Sequence, residues 1–351
     1  MCPQRQRSPQ SQRRPQREVA AWRPRVPGIV EVFHAHYTEY AYPMHVHDVW
    51  TLLIVDDGAV RYELDRHEHG TPNDTVSLLP PYVPHNGAPV TEHGFRKRVL
   101  YLDLDASPLD ESLIGAAVDG PDLRDPHLRR RVGQLHTALA RPGDELEAES
   151  RLALVGERLR RHLRRPPARS AARPDGSRTV AHRLRELLDE RVTDGVTLAE
   201  AAGTVHAHPA HLVRAFGAAF GIAPHQYLMS RRVERARRLL LDGMPPGEAA
   251  AAAGFYDQAH LTRQFGRWVG VTPGRYRSGP AATSRVRWLN ASRLWVGSPR
   301  ETRQAYSLRI AEAKPSSSRV LKAPSAASRT WPRSPSMPSG VTAERGSRAV
   351  T

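Results

Sequence analysis

The chain has 351 residues and a formal net charge of +16, long enough for two domains that each bury a core, with tails besides. A single cysteine, Cys2, excludes an internal disulfide framework and any cysteine-rich zinc module, and no apolar run approaches the length of a membrane span. The charge lies at the ends: residues 1–25 hold seven arginines against Glu18, and residues 279–351 hold thirteen basic residues against three glutamates. Residues 26–177 carry 18 basic and 23 acidic side chains and residues 178–278 carry 14 and 9. The modest positive balance of the second stretch is a footprint for a polyanion, whereas arginine-rich tails bind polyanions without reading sequence.

In chain order, residues 1–25 are too poor in apolar side chains to offset ordering and read as a disordered basic tail. Residues 26–108 follow as short β-segments at 30–33, 49–55, 60–64, 76–79 and 99–104, separated by Asp57-Gly58, Pro80-Pro81 and Pro84. Asp56-Asp57-Gly58 between two apolar runs predicts a hairpin, and the many short strands predict an antiparallel barrel. The period then changes to helical across 109–164, with helices expected at 127–139 and 146–163, the second aligning Leu152, Val155, Leu159 and Leu163. Residues 165–177 are a proline-rich linker, and residues 279–351 a second disordered basic tail whose Trp288, Leu289, Leu294, Trp295 and Val296 are assigned no function.

Residues 178–278 contain an internal repeat at an offset of 49 residues. His211-Leu212-x-Arg214-x-Phe216-Gly217 returns as His260-Leu261-x-Arg263-x-Phe265-Gly266, and the register continues through Gly221/Gly270, Pro224/Pro273 and Tyr227/Tyr276. Upstream of each copy lies an alanine-rich helix, at 198–203 after Thr197 as N-cap and at 248–253 after Pro245-Pro246. Each copy is thus a helix-turn-helix unit, in which the second helix offers outward residues to base edges in a major groove. Leu212, Phe216 and Phe220, like Leu261, Phe265 and Val269, fall on the core face. The outward residues are Ala210, His211, Val213 and Arg214 in the first copy, and Gln258, Ala259, His260, Thr262 and Arg263 in the second. Residues 224–241 form a long helix between the copies, roughly 27 Å at about 1.5 Å per residue, compatible with readers in successive major grooves. A helical-hairpin solenoid is disfavoured, because such arrays need about three or more repeats.

These residues resemble the DNA-binding domain of the AraC/XylS family of bacterial transcription regulators. The resemblance spans 178–278 and is strongest in Ala252-Ala253-Gly254-Phe255, in His260-Leu261-Thr262-Arg263-Gln264-Phe265 and in Gly270-Val271-Thr272-Pro273-Gly274-Arg275-Tyr276-Arg277. Ala210 and Val213 stand where the family often has larger or polar readers. Tyr42-Pro43-Met44-His45-Val46-His47-Asp48 and Leu79-Pro80-Pro81-Tyr82-Val83-Pro84-His85 resemble, more loosely, the cupin-type sensor domain of the same family. The resemblance implies a two-domain fold, in which an all-β cupin-like barrel with a helical dimerisation segment precedes an all-α double helix-turn-helix. It also implies a small-molecule effector, a homodimer, promoter DNA and RNA polymerase as partners, and activation rather than repression.

His45-x-His47 on a strand points both imidazoles to one face, with His85 as a possible third ligand. The glutamate that metal-binding cupins carry a few residues later is missing, since only Asp48 is offered and it should face the other way. The expectation is therefore an effector pocket including His45, His47, Trp50 and His85, with no metal, cofactor or catalytic residue, and His67 and His69 on a solvated edge. The polar amino terminus lacks a signal peptide's apolar stretch, so a cytoplasmic, membrane-free protein is expected. Two other classes compete: a metal-dependent cupin enzyme fused to a DNA-binding domain, and a sequence-indifferent architectural DNA binder.

Overall fold

The computed structural model describes residues 17–141, 143, 145–164 and 176–279. Of the expected tails and linker, 1–16, 165–175 and 280–351 lie outside these residues. The amino-terminal half is built on strands β1 (Arg17–Trp22), β2 (Ile29–Tyr37), β3 (Tyr42–His45), β4 (Trp50–Gly58), β5 (Val60–Leu64), β6 (His67–Thr71), β7 (Val76–Leu79), β8 (His85–Pro89) and β9 (Phe95–Leu102). A 3-10 turn at Glu111–Leu113, a short helix α1 (Ile114–Asp119) and strand β10 (Asp122–Leu123) lead into helices α2 (Pro126–Leu139) and α3 (Glu145–Leu163). All strand pairs are antiparallel, in a six-stranded sheet of order β1-β2-β9-β4-β7-β10 and a four-stranded sheet of order β3-β8-β5-β6.

The six-stranded sheet is buried on both faces, which is why β4 reads as a continuous apolar run rather than an alternating one. Trp50, Leu52 and Ile54 of β4 pack outward with Leu128, Val132 and Leu135 of α2 and Val155 and Leu159 of α3. Leu53 and Val55 face the interior between the sheets with Phe33, Tyr37, Val60, Tyr62 and Tyr101. The start of α2 is fixed by Pro126 at its first position and by Asp125, whose carboxylate accepts from the amides of His127 and Leu128. Arg158 and His162 of α3 converge on the same carboxylate and hold it far below the usual range, although its burial opposes the shift. One carboxylate thus caps one helix and pins the next.

Three sequence expectations are corrected. Residues 17–22, placed in the disordered tail, form edge strand β1 on β2. Val19-Ala20-Ala21-Trp22 cannot fold alone, but Ala20, Ala21 and Trp22 are buried against the sheet and the Trp22 indole donates to Leu139 O of α2. The Asp56-Asp57-Gly58 signal does not make a hairpin: β4 and β5 belong to different sheets, and the chain passes between them at Gly58. There φ is +73° and a Cβ would lie 2.1 Å from Gly94 O, so only glycine is accommodated. The linker ends earlier than 177, since helix α4 (Gly176–Glu190) has already begun.

The carboxy-terminal half continues with α5 (Leu198–Val205), α6 (Pro209–Phe220), α7 (Pro224–Leu241), α8 (Pro246–Ala252), α9 (Gln258–Val269) and α10 (Pro273–Arg277). Thr197 caps α5 in a reciprocal box with Glu200. The repeated Gly and Pro of the sequence are helix punctuation: Gly221 and Gly270 end α6 and α9 with φ of +67° and +85°, and Pro224 and Pro273 open α7 and α10. Among the described residues no helix is long and apolar enough to cross a membrane.

Candidate functional site

The interior between the two sheets is a cavity closed on its open side by α7 and α9. Its wall combines Phe33, Tyr42, Tyr62 and Tyr101 from the strands with Val233, Glu234, Arg237, Trp268 and Val269 from the helices. His45, His47 and His85 lie in this wall, but Trp50 does not. Side chains alternate along β4, so Thr51 and Leu53 face the cavity while Trp50 packs against the helices behind the sheet. Lys97, which sequence reasoning missed, also lines the cavity with its Nζ 4.0 Å from the Tyr42 ring centroid. Burial, with Arg237 nearby, lowers its pKa to about 7. The signal available was Arg96-Lys97-Arg98 on one strand: alternation sends Arg98 out to Asp56, at 2.6 Å, and Lys97 in.

The three histidines converge. His45 and His85 are cross-strand partners on β3 and β8, their ring centroids 4.4 Å apart, and His47 stands 4.9 and 5.2 Å from them. One ring nitrogen from each lies within 4.8 Å of the others. Nδ1 of His45 donates to Pro43 O at 2.6 Å and Nδ1 of His85 to Val83 O at 3.0 Å, each to the carbonyl two residues upstream. Burial and the neighbouring imidazoles lower His45 well below the ordinary histidine range, and burial and His47 bring His85 to about 3. Asp48 turns away from the cluster to Arg238 at 2.8 Å and Arg231 at 3.1 Å. The carboxylate that does reach it comes from the helical half: Glu234 Oε2 on α7 accepts from His47 Nδ1 at 2.9 Å. Burial disfavours the charged carboxylate, but Arg237 and His47 outweigh that and hold Glu234 well below its usual range. Elsewhere His69 is half-buried against Tyr62 on edge strand β6 and His67 is exposed.

Around this cavity the two halves share buried polar contacts. Arg237 donates to Glu31 of β2 at 2.7 Å, to the Tyr276 hydroxyl at 3.0 Å and to Glu234 at 3.2 Å, while the Tyr276 hydroxyl itself donates to Glu31. Tyr37 and Tyr40 hydroxyls donate to the carbonyls of Val269 and Arg267 at 2.7 and 2.6 Å, at the carboxy-terminal end of α9. Toward the first helix-turn-helix unit the ties are more exposed: Gln226 to Met44 O at 3.0 Å, Arg66 to Ala218 O at 2.9 Å, Arg231 between Asp48 and Asp189, and Arg185 of α4 over the Tyr82 ring. The arginines that stud α7 in sequence are largely spent internally, Arg231 on Asp189, Arg232 on Val192 O and Arg235 on Ala252 O.

The outward faces of α6 and α9 remain open in this arrangement. Ala210, Val213 and Arg214 on α6 and Gln258, Ala259 and Arg263 on α9 are exposed, and His211, His260 and Thr262 are half-buried. Thr262 Oγ1 donates to Gln258 O at 2.8 Å and His260 packs edge-on to Phe255, so these two are partly committed to their own unit. Asp257 caps α9 by accepting from the His260 amide at 2.6 Å. Tyr256, in the turn before α9, is 93% exposed; sequence reasoning passed over it because Gly254-Phe255-Tyr256-Asp257 reads as turn and core.

Comparison with known proteins matches residues 27–155 to a family model described as the AraC-like ligand binding domain and residues 198–279 to one described as a helix-turn-helix domain. The chain is similar to the uncharacterized HTH-type transcriptional regulator YbfI of Bacillus subtilis, 33% identical over 134 residues, which is 38% of this chain and 48% of that protein. It is also similar to the virulence regulon transcriptional activator VirF of Yersinia enterocolitica, 32% identical over 116 residues, 33% of this chain and 42% of that protein. These matches span about half the length of the relatives or less. Among solved structures, ToxT from Vibrio cholerae aligns over 75% of this chain and 97% of that chain, at 11% identity and a TM-score of 0.46.

Proposed function

We propose, from the premise that this chain belongs to the AraC-type family of transcription regulators, that it binds promoter DNA sequence-specifically and adjusts that binding to a small molecule held in the barrel cavity. Gln258 and Arg263 are the principal base readers, with bidentate geometry suited to adenine and guanine. Arg214, His211 and His260 serve the backbone or flanking bases, and Ala210, Val213, Ala259 and Thr262 contribute apolar or methyl contacts. The protein works as a homodimer joined through residues 109–164, with RNA polymerase at the promoter, in the cytoplasm, as an activator. Catalysis plays no part in this reading.

The observation that carries it is the shared wall of the cavity. Trp268 and Val269 belong to the same helix as Gln258 and Arg263 and line the chamber that an effector would fill. A ligand that packs differently on α9 in two arrangements of the halves shifts their equilibrium, and one without such a difference does nothing. Because the reading faces stay exposed in the docked form, the effector changes the placement of the two readers rather than uncovering them. The cavity's aromatic wall with Lys97 and the histidines suits a small molecule with an apolar body and a polar head.

Footprinting of the full chain upstream of its neighbouring genes tests the reading. Selective protection of two segments about one helical turn apart is the expected result. Uniform, salt-sensitive protection without preference would replace it with an architectural DNA binder.

A further inference from the structure

We propose that His45, His47 and His85 form a site for a divalent transition-metal ion, zinc in the first instance, and that Glu234 of α7 is its positioning residue. The bonding of the rings carries the assignment. The carbonyls of Pro43 and Val83 can only accept, so the Nδ1 atoms of His45 and His85 bear hydrogen and their lone pairs lie on Nε2. Glu234 imposes the same tautomer on His47. Each imidazole is therefore presented as a metal-ligating histidine is, one nitrogen donating to an oxygen and the other free toward a common point. The ligand atoms already lie within 4.8 Å of one another; two nitrogens about 2.1 Å from a tetrahedral ion are about 3.4 Å apart, a distance small side-chain rotations reach. Three imidazoles suit zinc, copper or nickel rather than magnesium or calcium.

Three protein ligands leave a fourth position, and here it faces the effector cavity, open to a water or to a donor atom of the effector. Glu234, a residue of the other half, thus orients a ligand and does not stand in for the ligating glutamate absent from the barrel's own sequence. Glu234 meets His47 only while α7 is docked, so docking strengthens ion binding, and by reciprocity the ion strengthens docking. That coupling rests on the regulator reading above; the ion site itself does not.

The test uses the full chain, stripped with chelator and titrated with Co2+ and then Zn2+, without DNA. Expected is one equivalent of Co2+ with the intense visible bands of a four-coordinate ion, displaced by Zn2+. The double variant His45→Ala/His85→Ala, shown folded by circular dichroism, is expected to lose these bands and at least 100-fold in affinity. Glu234→Gln is expected to keep the bands and weaken binding about 10–100-fold. Zn2+ should slow hydrogen exchange across α7 in the native chain and not in Glu234→Gln. No bound Co2+ in the native chain, or equal binding by the double variant, overturns the site. Unchanged affinity in Glu234→Gln, or exchange indifferent to Zn2+, overturns the coupling while leaving the three-histidine site standing. Selective footprints from a chain that takes up no Co2+ would discard the ion and keep the regulator.

Discussion

The two helix-turn-helix units repeat the same residues at an offset of 49, yet they are held by different parts of the molecule. Tyr227 and Tyr276 occupy equivalent positions, both buried. Tyr227 donates to Asp189 of α4, within the helical half, whereas Tyr276 donates to Glu31 of the barrel. Leu212 and Phe216 of the first unit pack with Leu184 and Leu188 of α4, while Leu261 and Phe265 of the second share one apolar core with Phe33, Tyr37 and Tyr101 of the barrel. The barrel does for the second unit what α4 does for the first. A change inside the barrel therefore reaches α9 through continuous packing, and reaches the first unit through polar links, with Arg66, Gln226, Arg231 between Asp48 and Asp189, and Arg185 over the Tyr82 ring, beside a few apolar contacts around Met44 and Val46. The asymmetry places α9, with the exposed Gln258 and Arg263 proposed above as base readers, in direct packing with the barrel.

The asymmetry can be broken at Arg237. Removing its side chain leaves Glu31 and Glu234 buried without their guanidinium, so Arg237→Ala should cost about 3–5 kcal/mol in denaturant unfolding, while Arg66→Ala, on a surface contact, should cost under about 1 kcal/mol. Comparable losses would mean the two units are held alike. On DNA, Arg263→Ala should cost about 1–3 kcal/mol on the preferred sequence if it reads a base, and Val213→Ala under about 0.5 kcal/mol; titrations on preferred and random duplexes separate reading from phosphate contact, since equal losses on both would demote Arg263.

Two smaller effects sharpen the contrast. Gly221→Ala and Gly270→Ala each force alanine into a left-handed conformation, at about 1–2 kcal/mol. At Gly270 the new Cβ also lies 2.9 Å from the Tyr37 ring, whereas at Gly221 the nearest atom is Arg66 Cγ at an ordinary 3.7 Å. Thermal melts should rank Gly270→Ala as the more damaging, and a reversed order would argue against tight docking of α9. Acid should act on the other face of the six-stranded sheet, against α2. His34 on β2 faces His136 of α2 at 3.1 Å, and burial lowers it from 6.5 to about 3. The unfolded chain then binds the proton more readily, so this contribution is whole above about pH 6.5 and is lost as the pH falls toward 3. Between pH 7 and 5.5 it amounts to about 1 kcal/mol, and His34→Gln should flatten that part of the stability profile; an unchanged slope would place the acid sensitivity elsewhere.

Much of the helical half was legible because its signals are local. Thr197 as a cap, Pro224 and Pro273 as helix starts, and Gly221 and Gly270 as stops act within a few residues of themselves, so a repeat of such marks specifies the units in one dimension. Long-range pairing was not legible in the same way. Strands β1, β6, β8 and β10 escaped notice because they are short or polar and gain stability only from their neighbours, and β3 is foreseen only through His45-x-His47. The Asp56-Asp57-Gly58 turn looked like a hairpin because a left-handed glycine between apolar runs does not say which sheet follows. Trp50 was placed in the pocket because its strand is apolar on both sides, which hides the alternation.

What the sequence determined by itself is the kind of molecule and its outward chemistry: two repeated helix-turn-helix units, a histidine-bearing barrel, and basic charge carried by the ends, all written in local periodicity and composition. Only the tertiary structure decided that the barrel closes on the second unit and that α7 arginines serve as internal ties. It alone brought Glu234 to His47 across 187 residues. A carboxylate and an imidazole so far apart in sequence leave no periodic trace of each other; their meeting depends on how two separately built cores pack, and that is settled by shape and burial rather than by any local pattern.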